Sequence, residues 1–156
     1  MKQLVIVSGK GGTGKTTLTA SFAVLAENKV ICDCDVDAAN LFILLNPQIL
    51  KEEAIITSQR PIIDKSKCIK CGKCEKYCRF DAITEFQVDN VKCEGCGVCK
   101  IVCPVDDAIV LQDFAGGEIF TTETEYGPFL YGKLKPGAGN TGKLVTEIRK
   151  RAFNLA

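Results

Sequence analysis

Ten cysteines stand in a chain of 156 residues, and eight of them fall into two runs of one spacing. Cys68-x2-Cys71-x2-Cys74-x3-Cys78 is followed by Cys93-x2-Cys96-x2-Cys99-x3-Cys103, with Pro104 directly after. Two-residue gaps gather three sulfurs on one tight loop, and the fourth cysteine lies beyond it. In a secreted protein so many cysteines would read as a disulfide framework, but in a reducing compartment they read as metal ligands. There is no histidine. That excludes Ser-His triads, histidine zinc sites, Rieske ligation and histidine-bound haem.

The two runs resemble the bacterial two-cluster ferredoxins, in which a pair of [4Fe–4S] cubanes is held by cysteine thiolates and the fourth cysteine of each run serves the other cluster. The resemblance assigns Cys68, Cys71, Cys74 and Cys103 to one cluster, and Cys93, Cys96, Cys99 and Cys78 to the other. The sequence around them repeats: Cys78-Arg-Phe-Asp-Ala-Ile83 is echoed by Cys103-Pro-Val-Asp-Asp-Ala-Ile109, as a duplication would leave it. Ile69, Ile83, Ile101 and Ile109 are candidates to pack around the cages. Gly72, Gly95 and Gly97 would let the backbone approach them. The competing reading is a pair of four-cysteine zinc sites, but those use paired cysteines instead of triplets plus one.

A second motif opens the chain. Gly9-Lys10-Gly11-Gly12-Thr13-Gly14-Lys15-Thr16-Thr17 follows the apolar run Leu4-Val5-Ile6-Val7. A run of that kind suits a parallel strand buried on both faces. Glycines at this density let backbone N–H groups converge on phosphate oxygens, and a helix starting there adds its positive end. Lys15 would then reach the β- and γ-phosphates of ATP or ADP, and the Thr16 hydroxyl would bind Mg²⁺. Leu18, Phe22, Leu25 and Ala26 recur at helical spacing, and Val30-Ile31-Cys32 begins a second strand. That order implies a right-handed βαβ unit.

The lysine at position 10 makes the loop resemble the deviant Walker A of the MinD/ParA ATPases and the nitrogenase iron protein. By that resemblance Lys10 crosses to the nucleotide of a facing protomer in a homodimer. Asp33-Cys-Asp35-Val-Asp37 resembles the next motif of the same family. It places Asp35, with Lys10 and Lys15, in the catalytic set and Asp35 beside Thr16 at Mg²⁺, with Asp37 less well defined. The whole order is similar to MinD-like P-loop ATPases that carry an inserted two-cluster ferredoxin. The implied fold is α/β, a partial P-loop NTPase parallel sheet with an inserted α+β two-cluster ferredoxin domain. Residues 1–63 would form the first NTPase part, 64–113 the ferredoxin, and 114–156 an incomplete NTPase continuation. No Walker B or switch II segment of the family's type is present. Asp113-Phe-Ala-Gly116 mimics one but reads as the closing ferredoxin strand, and Gly137 to Lys143 reads as a loop and helix start. The chain is therefore expected to be the N-terminal part of a larger ATPase or a natural truncation, with hydrolysis depending on a complementing C-terminal half.

The remaining segments are plainer. Leu41 to Leu45 suits a short helix stopped by Asn46-Pro47. Residues 53–64 suggest a hairpin around Ser58-Gln59-Arg60, and Glu118 to Thr124 alternates like a strand. The glycine- and proline-rich stretch 127–142 reads as a loop, and Leu144, Ile148 and Ala152 mark a final helix. Cys32 and Cys34 read as buried structural thiols. A formal charge of +1 without a basic face gives a nucleic-acid partner no support. No apolar run reaches the roughly 18 residues of a membrane span, and no signal-peptide pattern precedes the first strand, so a cytoplasmic location is expected. The sequence points to an ATP-binding iron–sulfur protein that passes electrons to an unidentified redox partner. A cluster carrier or assembly scaffold, or a simple ferredoxin on a degenerate nucleotide fold, are the alternatives.

Overall fold

The computed structural model describes residues 2–9, 12–139 and 141–156, and the side chain of Thr141 lies outside the description. Lys10 and Gly11, two of the residues expected to bind nucleotide, lie outside the described residues. Two compact units divide the chain. One comprises Met1–Ala54, Glu118–Lys133 and Thr141–Ala156, and the other Ile55–Gly117 and Leu134–Asn140.

In chain order the elements are α1 (Lys15–Leu25), β1 (Ile31–Asp33), α2 (Leu41–Leu45), β2 (Gln48–Ile63), α3 (Lys73–Lys76), β3 (Ile83–Thr84), β4 (Gln87–Val88), α4 (Val98–Ile101), β5 (Ile109–Thr124), β6 (Gly127–Leu134) and α5 (Thr141–Leu155). One sheet has the strand order β1-β6-β5-β2, and β3 and β4 form a small ladder of their own. β1 runs parallel to β6, pairing Ile31 with Phe129 and Asp33 with Tyr131. β5 and β6 are separated by two residues, a connection only antiparallel strands permit. The sheet is thus mixed, not wholly parallel as expected.

The first unit is built on aromatic packing. Phe42, Phe120 and Phe129 all stack on Tyr131, with ring centroids 4.7–5.3 Å apart. Ala23, Ile31, Leu41 and Leu45 complete this core. α5 buries Leu144 and Ile148 completely. Gly132 on β6 makes room for them, since a Cβ there would stand 2.7 Å from Ile148 Cδ1.

Several expectations are corrected. Leu4 to Val7 form no strand, and Leu4, Val5 and Val7 are exposed. A strand buried on both faces needs a ladder and covering side chains, and among the described residues neither flanks this segment. The apolar stripe of α1 also faces outward: Leu18, Phe22 and Leu25 are exposed while Ala20 and Ala23 meet the core. The hairpin around Ser58-Gln59-Arg60 is instead one continuous strand, β2. None of those three residues offers the positive φ that a tight hairpin turn requires. Glu118 to Thr124 is the end of a longer strand, β5, which starts at Ile109. The expected loop 127–142 holds strand β6 in its first half. Its glycines are spent on a turn exit at Gly127 (φ 113°) and on the close approach at Gly132. The short helix before Asn46 and the final helix form as expected.

Candidate metal centres and nucleotide loop

The second unit carries both cysteine runs, and they adopt one backbone shape. Two residues after the first cysteine of each run the backbone is left-handed, at Lys70 (φ 54°) and Gly95 (φ 69°). It is left-handed again at Gly72 (φ 72°) and Gly97 (φ 76°), each of which opens a single turn of helix, α3 or α4. Left-handed residues set among right-handed ones curl the chain so that amides can converge on an anion. Gly95 cannot carry a side chain, because a Cβ would fall 2.3 Å from the Gln59 carbonyl oxygen on β2.

The curled runs line two small, partly open cavities. Cys68, Cys71, Cys74 and Cys103 line the first, among Ile63, Ile69, Phe86, Val105 and Ile109. Cys78, Cys93, Cys96 and Cys99 line the second, among Pro61, Phe80, Ile83 and Val98. Each cavity thus receives three cysteines from one run and one from the other. The two adjoin, since Cys74, Cys99, Ile83 and Ile109 form a single apolar cluster. Ile69 lines the first cavity from an exposed position. Ile101, also expected near a cage, is exposed and lines neither.

Beyond the first of each run, where Cys93 is buried and Cys68 half-buried, equivalent cysteines have matching environments. The third of each run, Cys74 and Cys99, is buried, while the second, Cys71 and Cys96, is exposed. Burial pushes the Cys74 thiol up, and pushes Cys99 up to about 11, with smaller contributions from neighbouring thiols. Left to themselves these thiols keep their protons, so metal loading must release protons. The Ala82 amide donates to Cys78 Sγ at 3.4 Å. A single tetrahedral zinc ion would need four sulfurs about 3.8 Å apart, given Zn–S near 2.3 Å. Among the described residues no three Cys, Asp or Glu side chains converge on a single-ion position. Eight soft donors set four and four around two cavities fit a pair of iron–sulfur clusters.

Residues 61–111 match the family model of the 4Fe-4S dicluster domain. The match spans all eight cysteines of the two runs. Nearly the whole chain is also similar to two uncharacterized proteins of Methanocaldococcus jannaschii. MJ0578 is 36% identical over 154 residues, covering 96% of this chain and 54% of the relative. MJ0579 is 30% identical over 159 residues, covering 96% of this chain and 57% of the relative. The chain spans about half the length of these curated relatives. The dicluster domain carries iron–sulfur chemistry, and among the described residues no helix is long and apolar enough to cross a membrane.

The glycine loop belongs to the other unit. Gly12 (φ 74°) and Gly14 (φ 86°) are left-handed, and α1 begins at Lys15 directly after. Thr16 and Thr17 lie in its first turn, with Gly9 and Thr13 on the loop before it. Lys15 Nζ stands 3.9 Å from Asp35 Oδ2, both partly exposed. Asp37 is exposed, as is Cys34, contrary to the expectation of a buried thiol; Cys32 is half-buried.

Asp33 is the residue that sequence reasoning missed. Its carboxylate accepts the backbone N–H groups of Asp35 at 3.0 Å, Asn40 at 3.2 Å and Leu41 at 3.1 Å. It ties the 35–40 loop to the end of β1 and caps the start of α2. The signal was present, since an Asp ahead of a turn and a helix commonly bonds the amide two residues on.

Proposed function

We propose that this chain is a nucleotide-binding iron–sulfur electron carrier of the MinD-like P-loop type. Its dicluster domain would be inserted at about residues 64–113, between NTPase parts at 1–63 and 114–156. In this reading Cys68, Cys71, Cys74 and Cys103 ligate one [4Fe–4S] cluster, and Cys93, Cys96, Cys99 and Cys78 the other. The observation that carries it is the pair of adjoining four-cysteine cavities. Two bound clusters supply one-electron transfer at low potential. The protein's part is to hold the thiolates, to bury Cys74 and Cys99 between the cages, and to leave Cys71 and Cys96 at the surface, where a partner can approach.

The nucleotide reading rests on the left-handed glycines, the helix that starts at Lys15, and the nearness of Asp35. Thr13, Gly14 and Lys15 would take the phosphates of ATP or ADP, Thr16 with Asp35 would hold Mg²⁺, and Lys10 would serve a facing protomer. The outward apolar face of Leu18, Phe22 and Leu25 suits cover by further α/β elements of a P-loop fold.

Anaerobic reconstitution followed by iron and sulfide analysis and low-temperature EPR tests the cluster assignment. About eight iron and eight sulfide per chain are expected. Stoichiometric zinc with no reducible signal would overturn it. Rapid release of clusters to an apo-ferredoxin would favour a carrier over a permanent electron relay.

A further inference from the structure

Arg60 on β2 is only 5% exposed, although arginine is rarely buried unpaired. Its Nη1 donates to the carbonyl of Cys93, and its Nη2 to the Gly137 carbonyl at 3.1 Å. Its guanidinium carbon lies 4.7 Å from the centroid of the Phe114 ring. Nε–H has no acceptor. Among the described residues no carboxylate pairs with Arg60. Two residues earlier on the same strand face, Ser58 Oγ is also buried without a partner. Ser58 stands against the second cysteine run, since a Cβ on Gly95 would come 3.3 Å from Ser58 Cβ.

A buried charge lacking a counter-charge is strongly unfavourable. Here the positive group, its Nε–H without an acceptor, lies against the loop that opens with Cys93. Arg60 lines neither cavity and meets the second through the Cys93 carbonyl; among the described residues no other charged side chain is buried, so the first cavity has no counterpart. Lys67, Lys70 and Lys73 flank the first run but are exposed, so water and salt screen them. Glu94 lines the second cavity as an exposed side chain and is screened in the same way. Burial therefore gives the two cavities unequal electrostatics.

We propose that Arg60, supported by Ser58, is a positioning residue that raises the reduction potential of the cluster held by Cys78, Cys93, Cys96 and Cys99 above that of its neighbour. The inference rests on the dicluster reading. With both clusters bound, an electron would pass from the cage held by Cys68, Cys71, Cys74 and Cys103, oxidising it, to the second, reducing it. No proton or atom is transferred. The polarity fixes the direction of electron flow within the domain.

The test is an EPR-monitored redox titration of the reconstituted full chain, with iron counted on every sample. Cys96→Ser, which exchanges an exposed sulfur ligand for oxygen, identifies the signal of the second cluster. In the wild type that signal should have the higher potential. Arg60→Met should lower it alone, by at least a tenfold change in the reduction equilibrium, or about 59 mV for a one-electron couple. Arg60→Lys should keep most of the potential, and Ser58→Ala should lower the same couple by a smaller step. If Arg60→Met fails to load, Arg60→Lys and Ser58→Ala still decide. Full iron content with unchanged potentials, or with both couples moved equally, overturns the role of Arg60 and leaves the dicluster reading intact. Absence of iron from the wild type overturns the dicluster reading itself.

Discussion

Lys15 Nζ and Asp35 Oδ2 face each other at 3.9 Å, which brings the start of α1 and the loop after β1 to one place. Lys15→Ala should weaken Mg·ATP and Mg·ADP binding at least tenfold by calorimetry. Asp35→Asn should retain nucleotide binding but lose much of its dependence on Mg²⁺. Equal affinities in wild type and Lys15→Ala would remove the phosphate site from this loop.

Asp33 accepts three backbone N–H groups, so its loss strands three donors near the end of β1. Water reaches part of this loop and compensates in part. Asp33→Ala should cost about 2 kcal/mol in urea unfolding, near the value of a single hydrogen bond to a charged acceptor, because water takes over most of the set. A change below a few tenths would mean that the loop holds itself.

Gly132→Ala places a methyl group 2.7 Å from Ile148 Cδ1. Overpacking of this kind costs about 1–3 kcal/mol. Ile148→Val removes the clashing methyl, so the double variant should recover part of the loss, giving a favourable coupling in a double-mutant cycle. Strict additivity would show that α5 had shifted away from β6 instead.

Burial pushes the Cys32 thiol up to about 12, with Cys34 and Asp33 adding to it. The thiolate is the reactive form, so iodoacetamide should modify Cys32 more slowly than a free cysteine at pH 8 to 9. Cluster-loaded protein, analysed by mass spectrometry, keeps the ligand cysteines out of the measurement. The sign for stability follows. Between its ordinary value of 9.0 and about 12, the unfolded chain loses this proton while the folded chain keeps it. Stability should therefore fall as pH rises through that window, and Cys32→Ala should flatten the fall.

What the sequence made legible were features written in local spacing. The two runs were legible from their intervals; the crossed assignment of Cys78 and Cys103 came only with the resemblance to two-cluster ferredoxins, and each cavity is lined by three cysteines of one run and one of the other. The glycine loop, the helix after it and the short helix before Asn46 were legible for the same reason. The errors concern what lies across from a segment. Ser58-Gln59-Arg60 looked like a turn because polar residues interrupt apolar ones, yet Arg60 is buried against Cys93, a contact 33 residues away in sequence. Gly132 looked like loop composition because nothing nearby in sequence names Ile148 as its neighbour. The outward face of α1 was unreadable in another way, since apolar spacing reveals a stripe but not what meets it.

Cys103 reaches the first cavity and Cys78 the second, so each half of the duplicated segment is fastened by a residue of the other. A cut between Phe86 and Val91 would leave two fragments, each with a three-sulfur cup and one stray thiol. The repeat can no longer be separated into the two equal ancestors it suggests. Losing one cage slackens the fourth anchor of its neighbour, so assembly and oxidative damage should both run all-or-none, and a stable half-filled protein should be scarce.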